Sequence, residues 1–168
     1  RILMDERGYT WDDAWSIVTR TVAYTNHTVL AEALEKWDEK LILSVVPKIY
    51  EVIRMIDEKL RNDLKNAKIE DDSYAIINNS TVHMANLACY VCFSINGVAK
   101  IHTEIIKKST LRQWYGLFPE RFNNKTNGVT QRRWLAIANP RLDALLRETI
   151  GERYLSDFDS IKKVVLDA

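Results

Sequence analysis

The chain has 168 residues, 46% hydrophobic and 28% charged, which suits one globular domain or a compact piece of a larger protein. Its 24 basic and 23 acidic residues leave a net charge of +1, so no global field draws it to nucleic acid or to an anionic membrane. Apolar residues never run unbroken for the roughly 18 positions that a transmembrane helix needs.

The opening RILMDERG is not a secretory signal, and the first methionine is Met4, as expected of a chain that lacks its natural start. Thr10 opens TWDDAWSIVTRTVAY, where Asp13 completes a capping box and Trp11, Trp15 and Val18 form one apolar face. A second helix is predicted over roughly Ala31 to Trp37. Pro47 then starts a long helix whose apolar residues Ile49, Val52, Ile53, Ile56, Leu60 and Leu64 recur at helical spacing. Lys65 to Thr81 is polar and aperiodic, and reads as a connection that is in part disordered. Val82 to Cys92 reads as an apolar helix, Asn96-Gly97 as a turn, and Val98 to Lys108 as helix again.

Phe122 to Thr126 is predicted as a short strand. Thr130 is placed to cap the next helix, with Val129 and Trp134 as a hydrophobic staple. Asn139-Pro140 starts another helix, Gly151 stops it, and a last short helix is expected near Asp159 to Leu166. The resulting fold class is mainly α with a few short strands, too few for a complete parallel sheet with its crossovers.

The only two cysteines, Cys89 and Cys92, form a lone CxxC inside an apolar helix. Without a second pair they read as buried small residues rather than a redox or metal site. His83 and His102 fall on predicted helices, where a partly buried, hydrogen-bonded role is the ordinary one, and neither has a partner at metal spacing. Sequons occur at Asn26, Asn78, Asn79 and Asn124, and are read as coincidental in a reducing cytoplasm.

His27 differs. It lies between two predicted helices, flanked by Asn26 and Thr28. A neutral imidazole offers one donor and one acceptor, as recognition of a polyhydroxylated ligand requires. Capping of the loop is the alternative, and spacing does not choose between them. Arg132 and Arg133 are either phosphate ligands or solvated residues, Trp134 is core or a stacking surface, and Asn127-Gly128 is a tight turn or part of a site. A nucleic-acid reading through Lys107, Lys108, Arg112, Arg132 and Arg133 is weak, because those charges are balanced elsewhere. No nucleophile with a general base and no suggestive pair of carboxylates stands out.

Four stretches, taken together, carry a family likeness. AYTNHTVLAEALEKW resembles the AYTNHTVLPEALERW of the glycogen (α-glucan, maltodextrin) phosphorylases. INGVAKIHTEIIKK is similar to their VNGVARIHSEILKK, and FNNKTNGVTQRRWLAIANPRL to their FxNKTNGITPRRWxxxxNPxL. ERYLSDFDSIKKV resembles the segment that follows. The matches keep their order from about Trp11 to Val165.

The resemblance implies a parent α/β enzyme with two Rossmann-like lobes of the glycosyltransferase-B type. That enzyme uses inorganic phosphate and pyridoxal phosphate to release glucose 1-phosphate from terminal α-1,4-linked glucose of a glucan. It implies that residues 1–127 end the N-terminal lobe and that residues 128–168 begin the C-terminal, cofactor-binding lobe. By carry-over, His27 holds the 6-hydroxyl of glucose through its ring, with its carbonyl near the anomeric carbon. Asn127 contacts the same hydroxyl, Val98 packs on the sugar, Thr28 lines the pocket, and Trp134 lies near the cofactor.

The cofactor lysine falls outside these residues, so the chain alone is expected to be inactive, and no metal is implied. A homodimeric, cytoplasmic, allosterically regulated parent follows from the likeness, with no nucleic-acid or membrane partner. A non-catalytic helical interaction module derived from a phosphorylase is the alternative. Two family prolines are replaced by Ala31 and Gln131. The positions of a vertebrate glycogen-storage helix carry Glu51, Arg54 and Asp57, which weakens the case for anchoring to glycogen.

Overall fold

The computed structural model describes residues 1–164. The chain forms two compact units, Arg1–Thr126 and Asn127–Ala168. Among the described residues no helix is long and apolar enough to cross a membrane.

In the first unit, helix α1 (Trp11–Val18) begins where expected, with the Thr10 hydroxyl accepting from the Asp13 amide at 3.2 Å. Strand β1 (Ala23–Thr25) follows. The helix expected over Ala31 to Trp37 does not form. A single tight turn, Ala31–Ala33, leads instead into strand β2 (Lys36–Asp38), where Trp37 pairs with Val82. Asp38 caps α2 (Glu39–Val45) by accepting from the Leu41 amide at 3.0 Å. Helix α3 (Pro47–Asn66) is as long as its apolar spacing implied, burying Ile53, Leu60 and Leu64.

The predicted disordered connection is ordered. Tyr74, Ala75 and Ile76 are buried, and Ile77–Asn78 forms β3. Asn79 and Ser80 adopt φ of 49° and 56°, the left-handed pair of a two-residue hairpin turn, and β4 (Thr81–His83) returns antiparallel. Helix α4 therefore starts at Met84, two residues later than the apolar run suggested, and ends at Val91. His83 lies on a strand opposite Lys36, not on a helix. Burial first and the Lys36 charge second push its pKa below the ordinary histidine range.

The Asn96-Gly97 pair is also not a turn. It ends β5 (Ser94–Gly97), the middle strand of a three-stranded parallel sheet ordered β1-β5-β6. Ala23 faces Ser94, and Ile95 faces Phe122 of β6 (Phe122–Asn124), the strand expected from sequence. Helices α5 (Lys100–Ile105), with a wider turn over Ile106–Thr110, and α6 (Arg112–Leu117) lie between β5 and β6 in the chain. The core is aromatic. Trp114 is fully buried, with Tyr74 edge-on at 5.1 Å and its indole N–H donating to Asn86 at 2.8 Å.

Asp57, at a storage-helix position by the resemblance, is buried rather than presented to solvent. Its oxygens accept from the Ile76 and Ile77 amides at 2.9 and 3.1 Å and from Arg61 at 2.7 Å.

In the second unit a helical turn over Arg132–Ile137 lacks a side-chain cap, and Val129 and Trp134 stay exposed, so the expected staple buries little. Helix α7 (Pro140–Ile150) is capped by Asn139 as predicted, and Gly151 ends it at φ 74°. Tyr154 is fully buried and donates to Asp143, which also accepts from Arg147 at 2.9 Å. The last turn runs Phe158–Lys163. The remainder of the helix expected to reach Leu166 lies outside the described residues.

Asp57→Ala leaves two backbone amides without an acceptor and should lower stability in urea unfolding by about 1–3 kcal/mol, with Asp57→Asn losing less. As pH falls through the ordinary histidine range and below it, the unfolded chain takes up a proton at His83 before the folded chain does. Stability should therefore fall as pH drops through that window, and His83→Gln should flatten this part of the pH profile.

Candidate functional site

The parallel sheet gathers the candidate residues of the first unit at one edge. In a parallel sheet all strands point the same way, so the segments leaving their C-terminal ends cluster, and such clusters are where open α/β sheets bind ligands. Asn26, His27 and Thr28 leave β1, while Val98 leaves β5. Lys125 leaves β6 and donates its amide to the Gly97 carbonyl at 3.1 Å.

The β1 loop is built by Asn26, which is 2% exposed. Its amide donates to the Asn96 carbonyl at 2.9 Å, its side-chain oxygen accepts from the Thr28 amide at 2.9 Å, and its side-chain nitrogen donates to Tyr24 at 3.0 Å. Thr25 ties the same loop to Asn96 through a 3.0 Å side-chain bond. With Asn26 turned inward, the next side chain is turned out. His27 is exposed, and among the described residues its ring has no hydrogen-bond partner. The capping of this loop thus belongs to Asn26, which leaves the imidazole donor and acceptor available. A cleft of about 470 Å³ opens beside it, with Tyr24, His27, Thr28, Glu35 and Met84 among its walls. Burial raises the Tyr24 pKa, against the opposing effect of its bond with Asn26.

His102 is the residue whose importance spacing did not signal. It was expected to be a partly buried, hydrogen-bonded histidine, and it is, at 9% exposure on α5. Its partners are the Val98 amide, 3.0 Å from Nδ1, and the Thr28 carbonyl, 3.2 Å from Nε2. It therefore joins the two segments that carry the candidate residues. Thr103 adds bonds to the Ala99 carbonyl and to Asn124, both at 2.9 Å. Gly97 makes this approach possible. A Cβ there would stand 2.6 Å from Thr103 Oγ1 and 2.9 Å from His102 Nδ1.

Asn127 and Trp134 belong to the second unit. Asn127 is exposed, and Trp134 is 65% exposed. Gln131 donates to the Leu155 carbonyl at 3.0 Å, and Arg132 donates to the same oxygen at 2.8 Å. Lys107 and Lys108 both pair with Glu104, so they are not free cations. Cys89 and Cys92 are free, buried thiols whose pKa values burial pushes up, which makes them poor nucleophiles. Arg121 caps the end of α4 above them by donating to the Cys89, Tyr90 and Cys92 carbonyls. Among the described residues no group of three or more histidine, cysteine or acidic side chains could hold a metal ion.

The sequence profile of the carbohydrate phosphorylase family matches residues 1–167. The chain belongs to that family. It is 43% identical over 165 residues to the glycogen phosphorylase of Bacillus subtilis (strain 168), covering 96% of this chain and 21% of that protein. It is 45% identical over 164 residues to the maltodextrin phosphorylase of Streptococcus pneumoniae serotype 4, covering 97% of this chain and 21% of the relative. It is 39% identical over 173 residues to the muscle glycogen phosphorylase of Bos taurus, covering 98% and 20%. The chain thus spans about one fifth of the length of the curated relatives it matches.

Gly97→Ala should force His102 and Thr103 away from β5, costing about 1–3 kcal/mol in a denaturant titration. Gly116→Ala, at a position where nothing lies within 4 Å of the added methyl, is the control for bulk alone.

Proposed function

We propose that this chain is the part of an α-glucan phosphorylase that carries the sugar side of the active site. The observation that most supports the reading is the exposed His27 ring, without a hydrogen-bond partner among the described residues, on a loop fixed by Asn26 at the C-terminal edge of a parallel sheet. In this reading the full protein cleaves the terminal α-1,4-linked glucose of a glycogen or maltodextrin with inorganic phosphate and releases glucose 1-phosphate. Residues 1–127 end its N-terminal lobe and residues 128–168 open its cofactor-binding lobe, in a two-lobed, Rossmann-like α/β enzyme. The enzyme is cytoplasmic and homodimeric.

The ring of His27 supplies a donor and an acceptor to the 6-hydroxyl of the sugar. Such groups select a hydroxylated ligand because an analogue lacking the hydroxyl leaves them desolvated and unpaired. Val98 packs against the sugar and Thr28 lines the pocket. The His27 carbonyl, aimed at the anomeric carbon, favours the positive charge that develops there as the glycosidic bond breaks. Pyridoxal phosphate, when bound, would supply a phosphate group able to exchange a proton with the substrate phosphate. The flat, 65% exposed indole of Trp134 suits one side of a pyridine ring. The lysine that would anchor that cofactor is assigned outside this chain.

Glu51 and Arg54 are exposed on α3 and pair with each other at 3.6 Å, while Asp57 is consumed inside the fold. That supports a soluble maltodextrin as readily as glycogen.

The test is phosphorolysis of maltodextrin by the complete polypeptide, followed as glucose 1-phosphate. His27→Ala should lower kcat/KM by about 5- to 150-fold, the worth of roughly 1–3 kcal/mol of unpaired hydroxyl recognition. A variant as active as the parent would remove His27 from the site. The 168-residue chain by itself should form no glucose 1-phosphate and show no Schiff-base absorbance with pyridoxal phosphate.

A further inference from the structure

We propose that His102 is a positioning residue of the sugar site, a neutral imidazole that holds the β1 loop and the β5 turn in one fixed relation. The proposal rests on the reading of His27, Thr28 and Val98 as sugar-facing residues. Its own evidence is the pair of bonds made by one ring, to the Val98 amide at 3.0 Å and to the Thr28 carbonyl at 3.2 Å, across 74 positions of sequence.

The partners fix the ring's chemistry. The Val98 amide can only donate, so Nδ1 must carry a lone pair. The Thr28 carbonyl can only accept, so Nε2 must carry the proton. The neutral Nε2–H tautomer satisfies both. The ring is placed by three further features. It rides on α5, whose Thr103 is bonded to Asn124 at 2.9 Å, so the helix is fixed to the third strand end as well. Gly97 lacks the Cβ that would collide with Nδ1. Thr110, at the end of the wider turn after α5, donates to the Val29 carbonyl at 3.0 Å, so the loop is held at two successive carbonyls from the same helical segment.

His27 is therefore bracketed. Asn26 before it is pinned to the sheet and Thr28 after it to His102. This bracket, with the Thr110 bond to Val29, fixes where the exposed His27 ring and carbonyl stand. A shift of about 1 Å at such a group is enough to cost 100-fold in rate.

Two substitutions separate the two bonds. His102→Asn keeps an acceptor where Nδ1 was but is too short to reach Thr28. His102→Gln keeps a donor near the Nε2 position but presents no acceptor at Nδ1. In the complete enzyme, the rate of glucan synthesis is measured with glucose 1-phosphate and with its 6-deoxy analogue, for the parent, His27→Ala and both His102 variants. The parent should prefer the 6-hydroxyl by at least about tenfold, and His27→Ala should lose that preference. Both His102 variants should lose most of it too, because His27 then stands out of place.

His102 variants that slow both substrates equally and keep the parental preference would overturn the proposal while leaving the sugar site intact. A parental preference that survives His27→Ala would instead overturn the sugar-site reading and this inference with it. Hydrogen exchange on the parent enzyme covers the case in which neither variant folds. The Val98 amide should exchange at least about 100-fold more slowly than an unbonded loop amide, and fast exchange would overturn the bracket.

Discussion

At Gly97 the end of β5 meets the first turn of α5, with no room for even a methyl group between them. That contact places His102 and Thr103 at the strand ends, and from there their bonds reach the segments leaving β1 and β5 and the last residue of β6. The proposed sugar-facing edge is thus a backbone construction. Its side chains that would meet ligand, His27 above all, are held by neighbours in sequence and space rather than by their own packing. This division suits recognition of a hydroxyl, since a group that must bond a ligand cannot also be consumed by the fold.

The elements legible in the sequence were those with a chemical start signal or a long period. Pro47 and twenty residues of regular apolar spacing announced α3, Thr10 and Asn139 announced the starts of α1 and α7, and Gly151 announced a stop. What failed were β1 to β5, strands of two to four residues, too short for alternation to register. Asn-Gly in β5 was read as a turn because that pair usually is one, whereas here the glycine serves close approach of a helix. The true tight turn, Asn79-Ser80, lay in a polar stretch without glycine. The expected helix at Ala31 to Trp37 lost to a pairing with β4 some 45 residues away, which no local pattern reports.

The site shows the same limit. For His27 the loop and its polar neighbours left capping and ligand recognition both open, and the structure gives the capping bonds to Asn26. His102 was not recognisable, because a histidine on a helix says nothing until its partners are known, and one of them is 74 positions away. Asp57 taught the converse. A carboxylate on a helix face reads as surface, yet this one satisfies one buried and one half-buried amide. Membership of the carbohydrate phosphorylase family rests on the whole length of the chain rather than on any one of these residues.

The most direct measurement is a crystal structure of the complete polypeptide soaked with glucose. Sugar density against the loop after β1 and the turn after β5, with the 6-hydroxyl within hydrogen-bond reach of the His27 ring, is the expected result. Density at another surface, with His27 still facing solvent at saturating sugar, would contradict the assignment of this edge as the sugar site.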